Sequence, residues 1–466
     1  MDALAALTER LPDGAVSTHP GELTSRSRDA WPLAMLREIR GERLPRPMAV
    51  VFPRSTDDVV ATLGWAAETG TVVVPRGGGS GVTGGAQAQW RCVVLDLSLM
   101  NAVGQIDRES LTVEVEAGTH GDRLEAALNR EGLTLGHHPV SLGFSSVGGW
   151  IASSSAGLAS AGFGTIADLV LGLEAVLAGG DVLRLPPVPR SSIGPDLRRL
   201  LIGSEGTLGV ITRATLAVAV APEGYRWHAF ALPAFEDGIA VARSIVQGSA
   251  RPLMLHLFDD AEATSTFNEL GHEDGAVLLL GFDPGGPDDA QAVEVAADAV
   301  GATALTQDFG EHWWERRAEG AATFRRVMGE ERMLGPGVIL DSAEVSGLWS
   351  VLPKLYAAVR DALGAHAARP VTTHLSYPHR SGASLTFTVL LHGQDDLSVE
   401  DRYHKCWEDA AQACHRAGGS LARGVGLLRA PYLEAELGSA GVATLRAVKQ
   451  ALDPHGVLNP GKLLPE

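Results

Sequence analysis

Cysteine is nearly absent: Cys92, Cys406 and Cys414 are the three in 466 residues. That is too few, and too unevenly spaced, for a disulfide framework or a cysteine-based metal site. Cations are the scarcer sign of charge, 38 Lys plus Arg against 56 Asp plus Glu, for a formal net charge of −18. No dense Lys/Arg run offsets that balance, so nucleic acid is not an expected partner. Uninterrupted apolar runs stay short of the roughly eighteen residues a membrane span needs, and none is expected. The first residues include Asp2, Glu9, Arg10 and Asp13 with no apolar stretch of signal-peptide length, so a cytoplasmic protein is the expectation.

What is present is glycine. There are 55 in 466 residues, about 12% against a usual share of roughly 7%. They cluster between structured segments, which argues for special backbone geometry and against flexible linkers. At 45% hydrophobic and 20% charged, the composition is that of a well-cored chain, long enough for two or three domains.

The pattern along the chain predicts an α+β class. Residues 1–45 read as a polar, helical lead-in ending near Pro45 and Pro47. Residues 46–221 alternate short strands (48–52, 71–75, 92–97, 111–117, 168–178, 206–221) with a helix at 59–68, capped at Ser55, and another at 122–131. Pro222 marks a boundary. Residues 222–420 then read as a second α+β domain on an antiparallel sheet, with strands at 227–232, 253–258 and 276–282 and helices at 235–247 and 288–300. Residues 421–466 form a returning tail, with a helix at 440–452 and a turn-rich closure.

The strongest chemical signal is Pro75-Arg76-Gly77-Gly78-Gly79-Ser80-Gly81-Val82-Thr83-Gly84-Gly85, directly after a β-branched strand. Successive glycines let backbone N–H groups converge on one concavity, which is how an acidic protein can hold a pyrophosphate. As a bare run it would also suit a tight turn. Its spacing is neither the Walker pattern nor the dinucleotide fingerprint. A second segment follows, Pro139-Val-Ser141-Leu-Gly-Phe-Ser145-Ser146-Val147-Gly148-Gly-Trp-Ile-Ala152, and a third, Gly203-Ser-Glu205-Gly206-Thr-Leu-Gly209-Val-Ile211-Thr212. The tail carries Asp453-Pro-His-Gly-Val-Leu-Asn-Pro-Gly-Lys-Leu463.

In that order and spacing these segments make the chain resemble the flavin-linked oxidases of the vanillyl-alcohol oxidase/p-cresol methylhydroxylase type, most of all their alkyldihydroxyacetonephosphate synthase branch. The resemblance spans residues 45–466 and is looser over 225–440. It implies a two-subdomain FAD-binding domain and a cap domain with an antiparallel sheet flanked by helices. By it, Pro75, Arg76, Gly77, Gly78, Gly79, Ser80, Gly81, Val82, Thr83 and Gly84 wrap the pyrophosphate. Pro139, Ser141, Ser145, Ser146, Val147, Gly148 and Ser153 would contact the cofactor, with Glu205, Gly206, Gly209 and Ile211 lining the rest. Covalent relatives commonly end the first loop in histidine; Ser80 stands there, which implies a dissociable FAD.

Departures from the synthase branch are numerous. Its histidine run is replaced around Arg423, its tyrosine by Thr386, two of its arginines by His256 and His374, and an acidic residue by Val140. The implied activity is therefore an FAD-dependent oxidoreductase acting on a small organic substrate (an alcohol, hydroxyacid or amine), with His374 and His256 as candidate bases and Arg423 as a candidate anchor. A non-redox synthase and a non-catalytic flavin-binding partner protein are the competing readings. His374 and His379 raise the question of a metal site, but Leu385 and Arg423 stand where further histidine ligands would fall, and no metal is expected. A homodimer would be in keeping with the resemblance. His379 reads as part of a turn over residues 377–381.

Overall fold

The computed structural model describes residues 3–287 and 290–465. Short β-branched runs make its first half. Ala49–Val51, Val93–Asp96 and Val73–Arg76 pair in parallel, with Val16–Ser17 antiparallel at one edge. The helix Thr56–Thr69 crosses between two of these strands. Ser55 and Asp58 close its N-terminus reciprocally, and Gly70 ends it at φ 65°, a left-handed conformation that glycine adopts without strain. A second, five-stranded antiparallel sheet runs in the order Val103–Asp107, Thr112–Glu116, Val210–Ala217, Val170–Val176, Val182–Leu185.

The second half is built on an eight-stranded antiparallel sheet in the order Thr303–Leu305, Arg226–Leu232, Ala276–Phe282, Met254–Phe258, Thr372–His379, Gly382–His392, Val338–Leu348, Ser420–Leu421. Its two faces follow from strict alternation. One cross-strand row is Leu257, Leu375, Leu385 and Val345, all buried against the helices Phe235–Gln247, Leu352–Gly364 and Asp396–Ala417. The next row is Phe258, His374, Thr386 and Glu344, on the opposite face. That polar row is where the sheet meets the first half.

Mixed helix and sheet, with an antiparallel second sheet flanked by helices, is the α+β architecture the pattern predicted. Several local expectations are corrected. The lead-in is helical at Ala3–Arg10, Pro20–Ser25 and Pro32–Ile39 but is not a polar appendage. Leu7 and Leu11 sit in the core of the first half, and Trp31, Leu33 and Leu36 sit in that of the second. The strand expected at 168–178 begins only at Val170, because Thr165 and Asp168 form a reciprocal cap that makes Ile166–Leu169 helical. The helix expected at 288–300 is seen as Ala290–Asp298, and residues 288 and 289 lie outside the described residues. The turn expected at 377–381 is only Arg380 and Ser381, since the strand Thr372–His379 continues through a bulge.

Candidate active site

A cavity of about 1960 Å³ lies between the first glycine segment and the polar face of the eight-stranded sheet. The loop enters it straight from the strand Val73–Arg76, and residues 75–83 all line the cavity. Among the described residues, the backbone N–H groups of residues 77–83 donate to no protein acceptor. The loop is held by close packing. A Cβ on Gly78 would lie 2.1 Å from the Phe144 carbonyl oxygen, and one on Gly77 would lie 2.1 Å from Ser146 Oγ. Only glycine lets the first segment lie on the second in this way. A half-buried arc of unpaired amides suits a pyrophosphate, so the residues present fit the cofactor that the resemblance implies.

Of the other expected cofactor residues, Pro139, Ser141, Ser146, Gly148, Ser153, Glu205, Gly206, Gly209 and Ile211 line the same cavity. Gly84, Ser145 and Val147 do not. Gly84, at φ 81°, packs on Trp31. Ser145 accepts a 2.7 Å bond from Trp150 Nε1 and donates to the Ser141 carbonyl. Val147 is fully buried in the core. Each of the three supports the wall from behind. Ser146 caps the helix Val147–Ser153 by accepting from Gly149 N–H.

Glu205 is half left-handed turn, half buried acid. Its φ is 54°, its Oε1 accepts the Val425 N–H at 2.7 Å, and burial pushes its carboxyl up to about 7 against that bond. Asn459 of the tail donates to the carbonyls of Gly85 and Glu205 at 2.9 and 2.7 Å, which brings the C-terminal segment back to both glycine loops.

The opposite wall carries the titratable groups. His374 Nδ1 lies 2.8 Å from Glu262 Oε1, and the pair stands on adjoining elements, the strand Thr372–His379 and the helix Asp260–Phe267. A carboxylate can only accept, so Nδ1–H donates and Nε2 is left as the basic nitrogen. Burial lowers the His374 pKa, but the charge and hydrogen bond of Glu262 outweigh it and the net shift is upward. Arg423, at φ 73°, pairs through Nε with Glu344 at 3.1 Å and donates from Nη1 to Ser342 Oγ at 3.1 Å. Tyr377 lines the same wall, beside Arg423 and Glu344.

His256 is the correction. It was expected beside His374, but it is only 2% exposed and does not line the cavity. Its Nε2 donates to the Leu158 carbonyl at 3.0 Å, its ring packs 4.4 Å from Trp313, and burial pushes its pKa down to about 3. Glu262, Glu344 and Tyr377 escaped the sequence reading. The alternation Ser342-Ala-Glu344-Val-Ser346 was a signal for a polar face, whereas nothing local ties Glu262 to a histidine 112 positions away. Among the described residues, no group of three or more His, Cys, Asp or Glu could hold a metal ion.

Comparison with known proteins fits this arrangement. Residues 47–186 match the FAD binding domain family, and residues 221–463 match the C-terminal domain of FAD linked oxidases. An alkyldihydroxyacetonephosphate synthase of Caenorhabditis elegans is 28% identical over 475 residues, covering 91% of this chain and 77% of its own. The glycolate oxidase subunit GlcD of Bacillus subtilis (strain 168) is 30% identical over 434 residues, covering 90% of this chain and 89% of its own. The solved structure of 4-ethylphenol oxidase from Gulosibacter chungangensis superposes with a TM-score of 0.80 at 18% identity, over 100% of this chain and 97% of that one. The chain thus belongs to the FAD-linked oxidases, with a PCMH-type FAD-binding fold.

Proposed function

We propose that this chain is an FAD-dependent oxidoreductase that oxidises a small alcohol, hydroxyacid or amine. Residues 46–221 form the FAD domain, 222–420 the substrate cap and 421–466 the segment returning to the cofactor. Bound FAD supplies the two-electron acceptor for the hydride. It is held non-covalently: the backbone N–H groups of residues 77–83 meet the pyrophosphate, and Ser141, Ser146, Gly148, Ser153, Glu205, Gly206, Gly209 and Ile211 line the remainder.

The observation that carries this reading is the His374–Glu262 pair on the wall facing the glycine cradle. Glu262 fixes the imidazole tautomer, so Nε2 of His374 can take the proton from a substrate hydroxyl or amine. Arg423, steadied by Glu344 and Ser342, presents a cation that orients an electron-rich substrate group. The apolar body of Phe258 and Trp313 on the same wall limits water there. His256 has no role in the chemistry. All three cysteines are buried and unpaired, in keeping with a cytoplasmic protein.

The test is anaerobic mixing of the FAD-loaded protein with glycolate, D-lactate, glycerol, benzyl alcohol and benzylamine, following the loss of the oxidised flavin absorbance. At least one should bleach the flavin, and His374→Ala should slow that bleaching by about 10²–10⁴-fold, the usual worth of a general base. If none reduces it, the oxidoreductase reading fails. Formation of an alkyldihydroxyacetonephosphate without oxygen or any other electron acceptor would support the synthase alternative instead.

A further inference from the structure

Two side chains on the cap wall share an uncommon backbone: Tyr377 at φ 51° and Arg423 at φ 73°. Non-glycine residues in the left-handed region are strained, and they persist where the surrounding structure over-determines them. For Tyr377 the cause is visible. His374 faces the cavity, so strict alternation would place Ser376 with it and send Tyr377 to the apolar side with Leu375. The register instead slips between Ser376 and His379, and the bulge formed there re-aims Tyr377 into the cavity. Pro378 makes the bulge easy, because it has no N–H for the ladder to lose.

In the cavity Tyr377 stands with Arg423 and Glu344, on the same strand as His374. Burial and the Glu344 charge push its phenol up to about 12, while the charge and hydrogen bonding of Arg423 pull the other way. The group is therefore a hydrogen-bond donor across the working pH range. The oxidation proposed above uses His374 as base and leaves this donor without a task.

We propose that Tyr377 is a catalytic residue of that oxidation, its hydroxyl donating a hydrogen bond to the substrate heteroatom whose proton His374 removes. The substrate's O–H or N–H bond breaks, its proton passes to Nε2 of His374, and Tyr377 keeps its own proton throughout. The heteroatom gains negative charge as the proton leaves, so a donor aimed at it binds the transition state more strongly than the ground state. The bulge and the strained φ are what place it there.

This rests on the oxidoreductase reading, and the experiment separates the two. Wild type and Tyr377→Phe, both loaded with FAD, are mixed anaerobically with the fastest-reducing compound of the panel over a range of concentrations. The expected result is a limiting reduction rate about 10²-fold lower in Tyr377→Phe, with apparent substrate affinity changed by less than about fivefold. The ring is retained, so flavin spectrum and Tm should match wild type, and a purely structural role would alter those instead of the rate. Equal limiting rates in a wild type that does reduce would remove Tyr377 alone. A wild type that nothing in the panel reduces would overturn both readings together. Should Tyr377→Phe not fold, Tyr377→His, which keeps a ring donor, must retain at least a tenth of the wild-type rate, and a lower rate overturns the proposal.

Discussion

Glu205 accepts the N–H of Val425 at 2.7 Å, and this one bond ties the third glycine segment to the stretch that carries Arg423, two residues away. The carboxyl lies in the cavity wall, and burial raises it from 4.5 to about 7. The folded state thus keeps a proton that the unfolded chain releases between those values. Its contribution to stability is complete below pH 4.5 and is lost as the pH rises through about 7. The Tm of the purified protein should fall more steeply between about pH 5 and pH 8 in wild type than in Glu205→Gln, which has no proton to release. Parallel slopes would show that Glu205 is not the titrating group.

The His374–Glu262 pair predicts a pH profile. The His374 pKa is raised by the Glu262 carboxylate against the opposing effect of burial, and only the neutral imidazole can accept a proton. The acid limb of the flavin-reduction rate therefore lies above the pH of an ordinary histidine. Glu262→Gln removes the charge and should move that limb to lower pH while lowering the plateau. An unmoved limb would show that another group governs it.

Much of this site was legible in the sequence, and the losses have physical causes. The glycine loop was readable because its constraint is local: Gly77 and Gly78 abut the second segment so closely that no other residue fits. His374 and Arg423 were picked out through resemblance, and both reach the cavity wall. His256 was not separable from His374 on the same grounds. Both lie on strands that face the same way, and only the packing of Trp313 and the Leu158 carbonyl over one of them shows which is sealed off. Tyr377 was hidden by Pro378, since a proline and polar neighbours look like a turn whether or not the chain bulges and goes on. Glu262 pairs across 112 positions, and no short-range pattern encodes that.

The cradle makes a steric prediction. A methyl at Gly78 would collide with the Phe144 carbonyl, which is backbone and cannot swing aside. Overpacking of this kind costs about 1–3 kcal/mol, so Gly78→Ala should bind FAD about ten- to a hundredfold more weakly in a flavin titration. Gly64, inside the helix Thr56–Thr69 with open space around it, is the control. Gly64→Ala should leave FAD affinity unchanged and raise stability by up to about 1 kcal/mol.

The first loop offers no side chain for a covalent flavin link, as residues 75–85 contain neither His nor Cys. Acid precipitation of the yellow protein should leave the flavin in the supernatant. Flavin retained in the pellet would mean a bond to a residue elsewhere on the cavity wall, such as His312.

His256 gives the reverse of the Glu205 case. Its ring is buried neutral, with its pKa depressed to about 3 by burial, and its Nε2–H satisfies the Leu158 carbonyl. The unfolded chain takes up a proton near 6.5 that the folded one refuses, so this contribution is present above pH 6.5 and is lost as the pH falls toward 3. His256→Leu removes both the titration and the donor, and strands a buried carbonyl at a cost of about 1–3 kcal/mol. Tm near neutral pH should therefore fall and its sensitivity to acid should lessen, while the limiting rate of flavin reduction stays within about threefold of wild type. A tenfold loss of rate with Tm unchanged would instead return His256 to the chemistry, through a conformation in which Trp313 no longer covers it.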